Sequence, residues 1–167
     1  NLNEKLAKLP DDKEIQRIIE EYKPQLIGFS AVTTQYQYAL KIAKFVKSFC
    51  NISIVCCGIH ATMVPEEVIR EDCFDYVCVG EGEEAVLELA ANIEKRVDTK
   101  HIANIWAKDN GKVVSNNVRS LPDLAELPRK DYEIFDFQKM IDTEGGWVRL
   151  MTSRGCPYDC SFCHIST

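Results

Sequence analysis

Ile52-Ser53-Ile54-Val55-Cys56-Cys57-Gly58-Ile59-His60-Ala61-Thr62 is a short apolar run closed by a glycine and followed by small and polar residues. An apolar run of this length without polar alternation reads as a strand buried on both faces. Pro65, with Glu66 and Glu67 behind it, then opens a helix: proline suits a first turn, and carboxylates suit the positive end of the helix dipole. A buried strand that feeds a helix through a glycine loop is half of a parallel β/α unit. The same unit recurs on either side. Upstream, Leu26-Ile27-Gly28-Phe29-Ser30-Ala31-Val32 precedes a helix over about 35–49, with Ala39, Ile42, Ala43, Val46 and Phe49 on one face. Downstream, Phe74 to Val79 ends in Gly80-Glu81-Gly82-Glu83, and the next helix carries Val86, Leu87, Leu89, Ala90 and Ile93.

The flanks complete the pattern. Asp11 and Glu14 make a start signal for a helix bearing Ile15, Ile18, Ile19 and Tyr22, which stops before Pro24. Ile102 to Ala107 and Val113 to Ser115 flank Asp109-Asn110-Gly111, a hairpin signal. Strands alternating with helices predict an α/β domain, a doubly wound (Rossmann- or flavodoxin-like) parallel sheet covered on both faces. Its residues are about 11–118 within a first domain 1–118. Residues 119–146, with Leu121-Pro122 and Leu127-Pro128, read as an irregular connector with one short helix. Trp147-Val148-Arg149-Leu150-Met151-Thr152 reads as a strand feeding a cysteine loop, in a last section 147–167.

Composition narrows the function. A chain of 167 residues that is 46% hydrophobic can bury one good core, and its formal charge of −6 argues against a nucleic-acid surface. Its apolar runs are too short to span a bilayer, and no signal peptide opens it. Of its eight cysteines, Cys56, Cys57 and Cys78 sit in strand-like runs where a thiol behaves as a small hydrophobe, so a reducing cytoplasm is expected.

Ligands of open parallel sheets bind beyond the carboxyl ends of the strands. Three such ends are polar or glycine-rich here: Ser30-Ala31-Val32-Thr33-Thr34, Gly58-Ile59-His60-Ala61-Thr62 and Gly80-Glu81-Gly82-Glu83. Gly58, Gly80 and Gly82 allow backbone to approach a bulky ligand, and the Ser30, Thr33 and Thr62 hydroxyls are candidate hydrogen-bonding groups. Taken singly, each loop also reads as an ordinary strand-to-helix turn with an N-cap.

Near the C-terminus, Cys156, Cys160 and Cys163 stand in a C-x3-C-x2-C loop. Three thiolates so close can hold three irons of one four-iron cluster and leave the fourth iron open to a small molecule. Zinc held with His164 competes, but neighbouring residues rarely reach one tetrahedral ion. Cys160-Ser161-Phe162-Cys163-His164 also matches a haem-attachment pattern, which leaves Cys156 unexplained. The cluster accounts for all three cysteines.

With Arg154-Gly155 before it, Pro157 after the first cysteine and Phe162 before the last, this loop resembles the signature of the radical S-adenosylmethionine enzymes. The series G-x-S-A-x-T, G-x-H-A-T-x-x-P-E-E and D-x-V-x-x-G-E-G-E is similar to the cobalamin-binding domain of the cobalamin-dependent members, and most similar to the anaerobic magnesium-protoporphyrin IX monomethyl ester oxidative cyclase group. The resemblance implies a 4Fe-4S cluster on Cys156, Cys160 and Cys163, with S-adenosylmethionine on the open iron. It implies cobalamin against Ser30, Thr33, Gly58, His60, Thr62, Gly80, Glu81 and Gly82. Methyl transfer or oxidative cyclisation of a small molecule such as a tetrapyrrole would follow, fed by an external electron donor.

The family's cobalt-ligating D-x-H-x-x-G is absent, so His60 is expected to touch the nucleotide tail or serve the fold. The family's first strand has no counterpart before Lys23 and its catalytic barrel none after the cysteines, so the chain reads as an inactive fragment of a longer enzyme. The rival expectation is a non-catalytic flavodoxin-like module, or a radical enzyme whose sheet domain no longer binds cobalamin.

Overall fold

A computed structural model describes residues 10–148, 150, 151, 153–158 and 160–163. Residues 1–9, Arg149, Thr152, Asp159 and His164 onward lie outside the described residues. The chain divides into two units, described separately: Lys8–Leu127, and a second that includes everything from Pro128.

In the larger unit, α1 (Asp12–Tyr22) starts where the sequence predicts, with the Asp11 carboxylate accepting from the Glu14 amide at 2.9 Å. It ends at Lys23, in the left-handed conformation with φ 47°, just before Pro24. Next come β1 (Leu26–Ser30), α2 (Thr33–Phe49) and β2 (Ser53–Cys57). Two short helices follow, α3 (Ile59–Met63) and α4 (Pro65–Arg70), then β3 (Tyr76–Cys78) and α5 (Glu83–Lys95). The sheet closes with the hairpin β4 (Ile105–Asp109) and β5 (Lys112–Val114). Its turn has φ 48° at Asn110 and φ 80° at Gly111, the backbone that asparagine–glycine hairpins favour.

The strands lie in sequential order, β1-β2-β3-β4-β5. The first three are parallel and the last two antiparallel, so the sheet is mixed: the expected parallel core carries an antiparallel edge. Both faces are covered, each by alternate residues of the same strands. Ile54, Cys56 and Val77 point into a core with Tyr36, Leu40 and Val46 of α2, Val68 and Ile69 of α4, and Phe74. Val55 and Cys78 point the other way, against Ala85 and Leu89 of α5 and Ile105 of β4. The segment Ile59–Met63, expected as loop, is helical: Thr62 N–H reaches Gly58 O at 3.0 Å and Val64 N–H reaches His60 O at 3.1 Å.

In the second unit, α6 (Phe137–Thr143) is capped by the Asp136 carboxylate on the Lys139 amide at 3.1 Å and buries none of its residues. It stops at Gly145 and Gly146, whose positive φ lets the Gly146 N–H turn back to Ile141 O at 2.9 Å. Of the expected strand 147–152, Arg149 and Thr152 lie outside the described residues, and Trp147, Val148, Leu150 and Met151 are exposed and in no ladder. A strand needs a hydrogen-bonded neighbour and a buried face, and these residues have neither.

Candidate functional site

At the carboxyl end of the parallel strands, three loops are stitched together. Ala31, after β1, is buried; its N–H donates to Cys57 O at 3.0 Å and its carbonyl accepts from His60 N–H at 3.1 Å. Gly58 therefore runs directly against it. A Cβ at Gly58 would lie 2.8 Å from both Ala31 N and Ala31 O, and its φ is +90°. Only glycine fits there.

The second stitch is Thr62. Its Oγ1 donates to Gly58 O at 3.1 Å and accepts from the Gly80 N–H at 3.0 Å, which joins the loop after β2 to the loop after β3. The third is His60, nine-tenths buried, whose Nδ1 lies 3.2 Å from Thr33 Oγ1 and joins the loop after β2 to the start of α2. Its ring packs on Tyr36 with centroids 4.0 Å apart. Burial pushes the Tyr36 phenol up to about 12, with the Glu71 carboxylate adding to the effect, so it stays neutral at physiological pH. His60 Nε2 is buried with no hydrogen-bond partner among the described residues.

The loop after β3 is backed from below by a residue with no sequence signal of its own. Asn104 is buried, at φ 69°, with its side-chain amide donating to Val79 O at 2.8 Å and its carbonyl accepting from the Arg119 N–H at 3.1 Å. Its own backbone carbonyl receives the Val79 N–H at 2.8 Å. The Arg119 guanidinium reaches Glu84 and Glu88 of α5, which closes the segment after β5 over that helix. Asn104→Ala removes both side-chain bonds, leaving a buried carbonyl and an amide unpaired. It should lower unfolding stability by about 2 kcal/mol in a urea titration. A change within experimental error would show that Asn104 does not support the loop.

Ser30, Thr33, Gly58, His60, Thr62, Gly80, Glu81 and Gly82 thus all stand on this one rim. Ser30, Thr33 and Gly80 are exposed, and Glu81 and Gly82 half-buried. Thr33 and Thr62 spend hydroxyl contacts on loop-to-loop bonds, which the sequence does not reveal. Exposed Val32 and Ile59 add apolar surface beside the glycines. The rim so offers bare backbone, a few polar groups and two aliphatic side chains. Such a surface suits a large flat ligand better than a small ion. Two grooves lie elsewhere, one bounded by Ile15, Tyr38 and Ile42 and the other by Leu26, Leu87 and Ala90.

A model of the B12 binding domain matches residues 6–90, which contain every one of these rim positions. The chain belongs to the B12-binding domain family. Among curated relatives, this B12-binding chain is 35% identical over 156 residues to an uncharacterized methyltransferase, PH0819, of Pyrococcus horikoshii, covering 92% of the chain and 34% of that protein. It is 30% identical to an anaerobic magnesium-protoporphyrin IX monomethyl ester cyclase of Rubrivivax gelatinosus, over 91% of the chain and 29% of the relative. The chain thus spans about a third of the length of these relatives. A solved structure of the cobalamin-dependent S-adenosylmethionine radical enzyme OxsB, with aqua-cobalamin and S-adenosylmethionine bound, superposes with a TM-score of 0.76 at 24% identity, over 92% of the chain and 22% of that structure. That likeness establishes the fold of the B12-binding domain.

The cysteine loop belongs to the second unit. Gly155 has φ 77°, and the Cys163 N–H closes a turn on Cys160 O at 2.9 Å. Cys156 and Cys160 are exposed and Cys163 half-buried. Among the described residues no three His, Cys, Asp or Glu side chains are gathered as a metal site. No described helix is long and apolar enough to cross a membrane.

Proposed function

We propose that the carboxyl-end rim of the sheet seats cobalamin, and that in the whole protein this domain serves a radical S-adenosylmethionine enzyme of the methyltransferase or oxidative cyclase type. The observation that supports the seat most directly is the rim itself: the three loops after β1, β2 and β3 are held together at the carboxyl end of the parallel strands by Ala31, His60 and Thr62, inside the span matched by the B12 family. Cobalamin, when bound, would supply a methyl carrier or redox partner, and a 4Fe-4S cluster held by Cys156, Cys160 and Cys163 would supply an electron for reductive cleavage of S-adenosylmethionine.

The chain's own residues have separable tasks. The backbone of the loop through Gly80 and Gly82 would lie against the nucleotide tail, and exposed Ser30 would supply a polar contact. Thr62, Thr33 and His60 hold the three loops in one geometry, so the seat exists before the ligand arrives. His60 is buried against Tyr36 at the loop junction, a place that suits holding the loops rather than ligating cobalt. Glu83 and Glu84 lie in the first turn of α5, where carboxylates favour its positive end. Cys156, Cys160 and Cys163 are the proposed cluster ligands; the donor set fits, because all three sit on one short accessible loop. The proposed boundaries remain 1–118 for the cobalamin domain, 119–146 for the connector and 147–167 for the cysteine section.

The test uses Gly82. A Cβ there meets Cys78 Sγ at 3.5 Å and Val86 Cγ2 at 3.6 Å, ordinary contacts, and its φ of −101° is open to any residue. Gly82→Val should therefore stay folded, within about 1 kcal/mol of the parent, the scale of a weakened helix cap. It should nevertheless lose at least tenfold in aquocobalamin affinity by absorbance titration. Unchanged affinity in the folded variant would refute the seat. Cys160→Ala should leave cobalamin binding intact and abolish iron–sulfur absorbance after anaerobic reconstitution, and persistence of that absorbance would refute the cluster assignment.

A further inference from the structure

Two thiols under the rim are used by nothing described so far. The register pairs Val55 of β2 with Tyr76 of β3 and Cys56 with Val77, which sets Cys57 beside Cys78 at the next step. Neighbouring strands run about 4.8 Å apart, inside the 4.4–6.8 Å window of Cα separations that a disulfide spans. Both side chains point to the α5 face: Cys78 is fully buried with Ala85 and Leu89, and Cys57 packs at the margin of the same core. The two thiols lie close enough to shift each other's ionisation, Cys78 downward and Cys57 upward. Cys78 Sγ also lies 3.5 Å from the place a Cβ on Gly82 would take, directly beneath the loop after β3.

We propose that Cys57 and Cys78 form an oxidisable dithiol site, which closes to an inter-strand disulfide with a small disulfide as oxidant. The two cysteine thiols together give up two protons and two electrons; the sulfur–sulfur bond of the small disulfide breaks, and it leaves as two thiols. Cys57 is half-buried and Cys78 buried, so the reagent meets Cys57 first and Cys78 resolves the mixed disulfide. In the free dithiol the Cys57 thiol lowers the Cys78 pKa and the Arg119 guanidinium adds to this, while burial and the Glu83 and Glu81 carboxylates oppose it. Bond formation would tie the loop that begins at Gly58 covalently to the loop that begins at Val79. The site stands independently of whether cobalamin binds above it.

The nearest rival is Cys56 with Cys73, both buried in the core on the opposite face of the sheet. Trypsin places Cys50, Cys56 and Cys57 on peptide 48–70 and Cys73 and Cys78 on peptide 71–95, so fragmentation must locate the bond. The 167-residue chain is incubated natively with oxidised glutathione, alkylated, digested and analysed by mass spectrometry. The expected product is the two peptides joined, lighter than their sum by two hydrogens, with the link at Cys57 and Cys78. The link should persist in Cys56→Ser and vanish in Cys57→Ser. Fragmentation of the unsubstituted chain decides the matter even if a variant does not fold. A link mapped to Cys56 and Cys73, or no link while the exposed Cys156 and Cys160 oxidise, would overturn the proposal.

Discussion

Gly58→Val should abolish cobalamin binding and destabilise the sheet unit by about 2–6 kcal/mol, the combined cost of a forbidden backbone conformation and of overpacking. With φ 90° and ψ −176°, Gly58 occupies a region that is open essentially to glycine alone. Relaxing the backbone is no escape, because a Cβ would press on Ala31 N and Ala31 O at 2.8 Å and on Ser30 Oγ at 3.1 Å. Those Ala31 atoms are already committed to Cys57 O and His60 N–H, so moving them breaks the bonds that join the first two loops. Gly28→Ala is the control: its Cβ would meet only Val55 Cγ1 at 3.7 Å, an ordinary contact. Urea unfolding of the two variants should separate them by several kcal/mol. Similar midpoints would show that the close approach at Gly58 does not hold the rim together.

Phe74→Ala should cost about 3–5 kcal/mol, the range for emptying a large aromatic site in a packed core. Phe74 is completely buried, packs edge-on to Phe29 of β1 with ring centroids 6.3 Å apart, and lies the same distance from Tyr36 of α2. It therefore connects a strand and the helix that carries the His60 partner. The cavity would open beneath Tyr36 and loosen its stacking on His60, so cobalamin affinity should fall along with stability. Thermal unfolding and the absorbance titration, measured on the same preparation, check both halves. A loss below about 1 kcal/mol would mean that the neighbouring side chains collapse into the space.

The elements of the sheet unit were largely legible in order along the chain. Apolar runs at Leu26 and Ile54, the cap at Asp11, the proline at Pro65 and the Asp109-Asn110-Gly111 turn each act through a few neighbouring residues, and such local preferences survive in a linear string. The glycine-ended loops marked the rim for the same reason, since a left-handed backbone is a property of single positions. Residues beyond that reach were not visible. Asn104 supports the loop after β3 from 25 positions away, and Thr62 meets Gly80 from 18, pairings that exist only once neighbouring strands lie side by side. The direction of the final strands escaped for a related reason: an apolar strand looks alike whether its partner runs parallel or antiparallel, and the hairpin turn reverses only β5 relative to β4. The segment at Ile59 went unread as helix because Gly58 masks its start and Pro65 follows within two turns, too short a span for periodicity to show. The described residues Trp147, Val148, Leu150 and Met151 stand in no ladder. Composition makes a strand possible there, but only a paired neighbour makes one form, and pairing is decided by the tertiary structure.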